Sequence, residues 1–322
     1  MPGVGYDQTL CRDARVKKPI TNLAASVYQK LLDLRSIRGE DFQLILNRYG
    51  LERFLFRLSK SAYADRFILK GAFLFIVWGS GVYRPTRDAD FHSVVIATPD
   101  EIRDVFVEIC RLDVAPDGLI FDPTSVTAAP IRARNDFGGI RVHLTAFLQR
   151  SRLPLQFDIG FGGIVSPKPR KRDFPALLPF PAPHISMYPR EAMIAEKFHA
   201  LVKLGRANSR MKDYYDIFQL SRSFSFDGKH LSRAIERTFL HEKTTLSVEI
   251  PIGLTSAFAD DHSKMILWRN FLKLIGQEES RKSLNAIIEG MRIFLMPPVR
   301  ATAEGKAYKK HWPAGGPWKD KH

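Results

Sequence analysis

Phe67-Ile68-Leu69-Lys70-Gly71-Ala72-Phe73-Leu74-Phe75-Ile76-Val77-Trp78, with Asp88-Ala89-Asp90 behind it, is the stretch whose reading decides the fold. Phe67 to Leu69 is short and apolar, as a strand end is, and the uninterrupted apolar run after Gly71 fits a buried helix. Gly79, Gly81 and Pro85 then mark a loop. Asp88 to Ile96 reads as a second strand, with β-branched residues at its end. Pro99-Asp100-Glu101 opens a helix running to about Leu112, its acidic residues lying in the first turn, where the helix dipole favours them.

Working outward, Leu23, Val27, Leu31 and Leu34 predict a helix over 21–36, and Leu44, Ile45, Tyr49, Leu51, Phe54 and Leu58 predict another over 42–58. Downstream, polar and apolar residues alternate over 138–148 and 153–159, predicting two more strands. A proline-rich connector from Pro167 to Pro183 follows, too dense in proline for a helix or a central strand. Beyond it the chain reads as helical: a helix opening at Pro189 and closing before Gly205, a second over Lys212 to Leu220, and more over 228–240 and 264–295. The fold class is therefore α+β, a mixed sheet with helices plus a helical C-terminal lobe. The expected division is 1–185 for the sheet domain with its helical N-terminal region, 186–300 for the helical domain, and 301–322 for a mobile basic tail.

Asp88 and Asp90 are the chemical centre of this reading. Side chains at i and i+2 of a strand share a face and lie ~7 Å apart, so both carboxylates enter one space. Magnesium near phosphates is held by one or two carboxylates with the phosphate oxygens. An Asp-x-Asp pair suits two such ions, one at an attacking hydroxyl and one at a leaving pyrophosphate. Asp158, on another predicted strand between core residues Phe157 and Ile159, needs a partner: a shared metal or an arginine. Lys70-Gly71 is the candidate phosphate cradle, preferred over Gly79-Ser80 because an apolar helix follows it. In the helical half, Lys197 sits at the shoulder of the Ile194, Phe198 and Leu201 stripe, as a shielded phosphate clamp or a snorkelling surface lysine. Asp213 and Asp216 share a helical face, with Arg210 and Lys212 adding positive charge; Asp216 reads as part of a salt-bridged helix start.

The chain of 322 residues carries 49 Lys and Arg against 34 Asp and Glu, a formal charge of +15 that attracts polyanions, nucleic acid first among them. Cys11 and Cys110 form neither a disulfide framework nor a zinc spacing, and Met1 to Leu10 has no apolar signal core. The apolar run 67–78 is too short to span a bilayer. These features predict a cytoplasmic protein with no membrane segment.

Phe67-Ile68-Leu69-Lys70-Gly71-Ala72, Arg84-Pro85-Thr86-Arg87-Asp88-Ala89-Asp90, Gln156-Phe157-Asp158-Ile159-Gly160-Phe161-Gly162, Tyr188-Pro189-Arg190-Glu191, Ala195-Glu196-Lys197 and Asn208-Ser209-Arg210-Met211-Lys212-Asp213 together resemble the AbiEii/AbiGii nucleotidyltransferase toxins, in order, from about residue 15 to about 300. The resemblance implies a polymerase-β-like nucleotidyltransferase core and the toxin half of a type IV toxin–antitoxin or abortive-infection pair. It implies transfer of NMP from an NTP to an RNA acceptor, the tRNA 3′ end, with Mg2+ or Mn2+ as cofactor and an antitoxin protein as partner. Carried over, Lys70 and Gly71 would match the family's first motif with Asp88 and Asp90, Lys197 its Glu-Lys motif and Asp213 its Lys-Asp motif. Joined to the reading of the residues themselves, this makes Asp88, Asp90, Lys197 and Asp213 the expected catalytic residues, with Asp88, Asp90 and Asp158 holding the metal. Lys70, Gly71, Lys197, Arg210 and Lys212 would bind the nucleotide, and Lys168, Arg170, Lys171 and Arg172 would hold the RNA backbone. Ala72, Phe73, the Phe91-His92-Ser93 segment and Gly163 depart from the usual family residues. Three alternatives stay open: a glycosyltransferase using Asp-x-Asp, a non-catalytic RNA-binding protein on the same fold, and a nucleotidyltransferase acting on protein hydroxyls.

Overall fold

A computed structural model describes residues 22–79, 86–131, 138–163, 165–277 and 282–321. Cys11, Gly81 and Pro85 of the expected loop, Ser80 of the alternative cradle, and the Arg84-Pro85 half of the Asp-x-Asp motif lie outside the described residues.

Two helices come first, α1 (Leu23–Arg38) and α2 (Phe42–Lys60), capped by Asn22 and Asp41, whose side chains accept from the backbone N–H groups of Ala25 and Leu44. The quoted stretch forms β1 (Phe67–Lys70), a turn at Gly71, and α3 (Leu74–Trp78). The helix after Gly71 is shorter than expected. Single-turn bonds from Leu74 N to Gly71 O and from Phe75 N to Ala72 O lead into only five residues, and Gly79 in the left-handed region ends them. The aspartates open β2 (Asp88–Ser93), shorter than the Asp88–Ile96 expected, and Val94, Val95 and Ile96 are exposed. Then comes α4 (Pro99–Arg111), closed at its N-terminus by a reciprocal Thr98–Glu101 capping box.

Three long strands follow: β3 (Leu119–Ile131), β4 (Gly139–Leu148) and β5 (Ser151–Phe161). Pro123 and Pro130 hid β3 from sequence reading. It tolerates them because it is an edge strand, and a register shift between Asp122 and Thr127 absorbs the irregularity. The proline-rich connector, expected to hold neither a helix nor a central strand, contains a second edge strand, β6 (Arg170–Asp173), and β7 (His184–Met187) returns beside it. The sheet order is β3-β4-β5-β2-β1-β7-β6, with β2 parallel to β5, β1 parallel to β7 and β1 antiparallel to β2. This mixed sheet with flanking helices bears out the α+β reading.

One face of the sheet is apolar. Phe157 and Phe91 stack there, and Phe54 of α2 and Phe106 of α4 pack on Phe157 with ring centroids 4.5 and 5.3 Å away. From α2, Glu52 accepts the Leu177 N–H at 2.7 Å and Arg53 donates to the Pro181 carbonyl at 2.7 Å, which ties the proline connector down. The opposite face of β5, β2 and β1 is polar and meets the helical half.

That half begins at α5 (Arg190–Leu204) and continues through α6 (Met211–Ser223), a short β8 (Phe226–Asp227), α7 (Gly228–His241), α8 (Ser256–Ala259), α9 (His262–Leu274), α10 (Leu284–Ala303) and β9 (His311–Trp312). The helix expected over 264–295 is split after α9, where Gly276 takes a positive φ. The tail expected to be mobile is instead packed down. Trp312 is 3% exposed, β9 pairs with β8, and the indole N–H groups of Trp312 and Trp318 donate to the carbonyls of Ser221 and Phe294. Polar average composition concealed two tryptophans that bring enough apolar area to order the segment.

Candidate active site

Strand register builds the site. Asp90 of β2 is flanked by Asp158 of β5 on one side and by Lys70 of β1 on the other, and Arg141 of β4 stands beyond Asp158. A second row, one pleat along, runs from Asp88 to Gln156 and His143. The i, i+2 spacing therefore does put both aspartates on the cleft face, while Ala89 and Phe91 between and after them are fully buried.

Gly71 and Asp90 fit only each other. Gly71 has φ +74°, and a Cβ there would lie 1.9 Å from Asp90 Oδ2. Burial first, then Asp88 and Asp158, raise the Asp90 carboxyl to about 6 against the pull of Lys70 and Lys212. Thr86 Oγ1 donates to Asp88 Oδ1. Two carboxylates on one face, one of them with raised proton affinity, make a donor set suited to a divalent cation with phosphate oxygens completing its shell.

Asp158 lies next to Asp90 as expected, but its oxygens are taken. Arg141 donates to Oδ1 at 2.8 Å from Nε and to Oδ2 at 2.7 Å from Nη2. Among the described residues no three His, Cys, Asp or Glu side chains converge as a metal site. The cation site that these residues fit is therefore Asp88 with Asp90. The sequence reading placed Asp158 with Asp88 and Asp90 as a metal ligand; here the Arg141 fork occupies its carboxylate instead.

Lys70 Nζ is 3.2 Å from Glu196 Oε2 of α5 and 5.5 Å from the Tyr188 ring centre. Burial would raise the Glu196 carboxyl, but Lys70 and the Tyr188 hydroxyl hold it below its ordinary range. His92, two residues beyond Asp90, is buried beside Tyr188, and burial and Lys70 push its imidazole down to about 4. Arg141 and Glu196 had no role in the sequence reading. The alternation that put Arg141 on the polar face of its strand was the available signal.

In the helical half, Lys197 is not an open clamp. Its Nζ lies 2.6 Å from Asp213 Oδ1 and 2.8 Å from Asp216 Oδ2, both carboxylates being buried. Arg210 Nε bonds the other Asp213 oxygen at 2.5 Å. Burial opposes ionisation of Asp213, yet Lys197 and Arg210 hold its carboxyl at about 2. Asp216 is the salt-bridged residue that the helical spacing predicts. Arg210 and Lys212 remain open to solvent at the edge of this ionic knot. Lys168, Arg170, Lys171 and Arg172 are exposed at the β6 edge, three strands or ~14 Å from β2, and Lys171 pairs with Asp65 at 2.6 Å.

The family model described as "Nucleotidyl transferase AbiEii toxin, Type IV TA system" matches residues 53–290. The chain belongs to the AbiEii nucleotidyltransferase toxin family. The match runs from α2 into α10, so it takes in both the carboxylate face and the Lys197–Asp213 knot of this AbiEii chain. No curated protein sequence matches it. Among solved structures that resemble it, two do so at 14% identity over 81% of this chain. JHP933 from Helicobacter pylori has 93% of its chain covered with a TM-score of 0.45; a second, called "putative nucleotidyltransferase from H. pylori", has 96% covered with a TM-score of 0.43. No helix among the described residues of this AbiEii protein is long and apolar enough to cross a membrane.

Proposed function

We propose that this chain transfers a nucleoside monophosphate from an NTP to the 3′ hydroxyl of an RNA, tRNA above all, and so blocks translation in the cytoplasm until a cognate antitoxin protein restrains it. The observation that carries the reading is the Asp88–Asp90 pair seated on Gly71 with cationic side chains on its flank, within a family match spanning both lobes. The acceptor oxygen bonds to the α-phosphorus, the bond from that phosphorus to the bridging oxygen breaks, pyrophosphate leaves, and the hydroxyl proton passes to water. Mg2+ or Mn2+ held by Asp88 and Asp90 would supply charge neutralisation at the phosphates and a lowered hydroxyl pKa. Lys70, Gly71, Lys212 and Arg210 bind the triphosphate, and Lys197 acts as a positioning residue by fixing Asp213. The basic β6 edge (Lys168, Arg170, Lys171 and Arg172) attracts the RNA body through phosphate contacts that salt weakens.

Incubation of the protein with labelled NTPs and a tRNA pool tests this. Label should enter tRNA and fall at least about 100-fold with Asp88→Ala or Asp90→Ala, the scale for losing a group that stabilises transition-state charge. Undiminished labelling by either variant would sink the assignment.

A further inference from the structure

We infer that Arg141 and the depression beyond it on the outer half of the sheet form the acceptor subsite, taking the last phosphodiester and the adjoining base of a single-stranded RNA 3′ end. This rests on the nucleotidyl-transfer reading above and specifies where its second substrate binds.

Three observations converge on it. First, transfer at phosphorus is in line, so the attacking oxygen and the leaving pyrophosphate lie on opposite sides of the reacting atom. The strand order assigns those sides. Lys70 and Gly71 lie on the β1 side of Asp90, and Asp158 and Arg141 lie on the β5 and β4 side. If the triphosphate occupies the first side, the acceptor enters over the second. Second, two cross-strand rows lead continuously outward from the aspartates. One runs Asp90, Asp158, Arg141, Ala129, and the other runs Asp88, Gln156, His143, Thr127. They end in a depression of about 220 Å³ bordered by Thr127, Ala129, Pro130, Ile131, Arg141 and His143. It is smaller than a drug-sized pocket, roughly 300–1,000 Å³, and suits one flat base with a polar and an apolar wall. Third, the Arg141 fork already grips a planar anion, the Asp158 carboxylate, through two bonds at 2.8 and 2.7 Å. A guanidinium offers the same paired donors to a phosphodiester. Exchange of one anion for the other seats the RNA terminus and frees Asp158 Oδ2 beside Asp90, while Gln156 still donates to Oδ1 at 3.3 Å.

The chemistry favours nucleic acid over a protein acceptor. A protein hydroxyl brings no phosphate for Arg141, and the chain's charge of +15 draws polyanions.

The test uses the full chain and a fluorescein-labelled single-stranded RNA with a free 3′ hydroxyl. RNA affinity is read by anisotropy, NTP affinity is measured without RNA, and KM is measured for each substrate. Arg141→Ala removes the fork, and Arg141→Lys keeps the charge without it. Ala129→Trp fills the depression from an exposed position and leaves every charged group in place. Arg141→Ala and Ala129→Trp should each weaken RNA binding and raise the RNA KM about 10-fold or more, with NTP affinity within about twofold; a tenfold loss is about 1.4 kcal/mol. Arg141→Lys should fall between Arg141→Ala and the parent protein. RNA affinity unchanged in both Arg141→Ala and Ala129→Trp, or NTP affinity falling as far as RNA affinity in Arg141→Ala, overturns the subsite. Should the unaltered protein label RNA while the variants bind it normally, this inference alone fails. Should it label a protein and leave RNA untouched, the nucleotidyl-transfer-to-RNA reading fails and the subsite goes with it.

Discussion

Gly71 shows how tightly single residues are specified here. Its missing side chain is the space that Asp90 occupies, and its φ of +74° disfavours any L side chain. Gly71→Ala should therefore push the Asp90 carboxylate off the cleft and cut nucleotidyl transfer by about 100-fold or more, a scale set by small misplacements at reacting centres. The melting temperature, read alongside, should drop far less than the rate, because the displaced group lies at the cleft edge of the core. Asp213 offers a complementary test through pH. Its folded carboxyl sits at about 2 against an ordinary 3.8. Depression of the folded value means the stabilisation is fully present above about 3.8 and is lost as pH falls toward about 2, on the order of 2 kcal/mol. Denaturant titrations of the parent and Asp213→Asn across that window should show the parent losing its advantage as the acid limit is approached. A constant gap between the two would refute the linkage.

At the scale of elements, the carboxylate strand depends on its neighbours for aim. β2 lies between β1 and β5, and α4 behind it presents Phe106 to the Phe157 ring. α4 itself is started by the Thr98–Glu101 box, in which each residue satisfies a backbone N–H of the other. Thr98→Ala should cost about 1 kcal/mol of stability by urea unfolding, the usual worth of such a cap, and leave label transfer intact because the box faces solvent away from the cleft. Loss of transfer at unchanged stability would show that α4 does more than support the sheet. Elements with strong local signals were legible beforehand: the capped helices, the alternating strands β4 and β5, and the Pro189-to-Gly205 helix. β3 was not, because its prolines are acceptable only on an edge, and edge position belongs to the assembled sheet.

Across the whole molecule, the two halves meet through α5, where neighbouring residues, about 100° apart on the helix, take different partners. Glu196 reaches Lys70 on the sheet, and Lys197 turns to Asp213 and Asp216 on α6. The C-terminal segment closes the helical half, with Trp312 and Trp318 packed on Phe294 at centroid distances of 4.9 and 5.8 Å. Trp312→Ala should destabilise the fold by about 3–5 kcal/mol, the cost of emptying a buried aromatic site. Thermal melting would check it, and a melt unchanged from the parent would mean that the segment is not docked in solution.

What the sequence determined alone was local. The pairing of Asp88 with Asp90 on one face follows from strand geometry, the turn at Gly71 from glycine's permissiveness, and the attraction for polyanions from net charge. The family pattern was also legible, because it is written in short motifs in fixed order. Only the tertiary structure decided which side chains meet: Arg141 with Asp158, Glu196 with Lys70, Lys197 with two buried carboxylates, and the tryptophans of the tail with α10. Those meetings hang on register. A slip of one residue between strands turns every side chain to the other face, so no pattern within a single strand can name its partner.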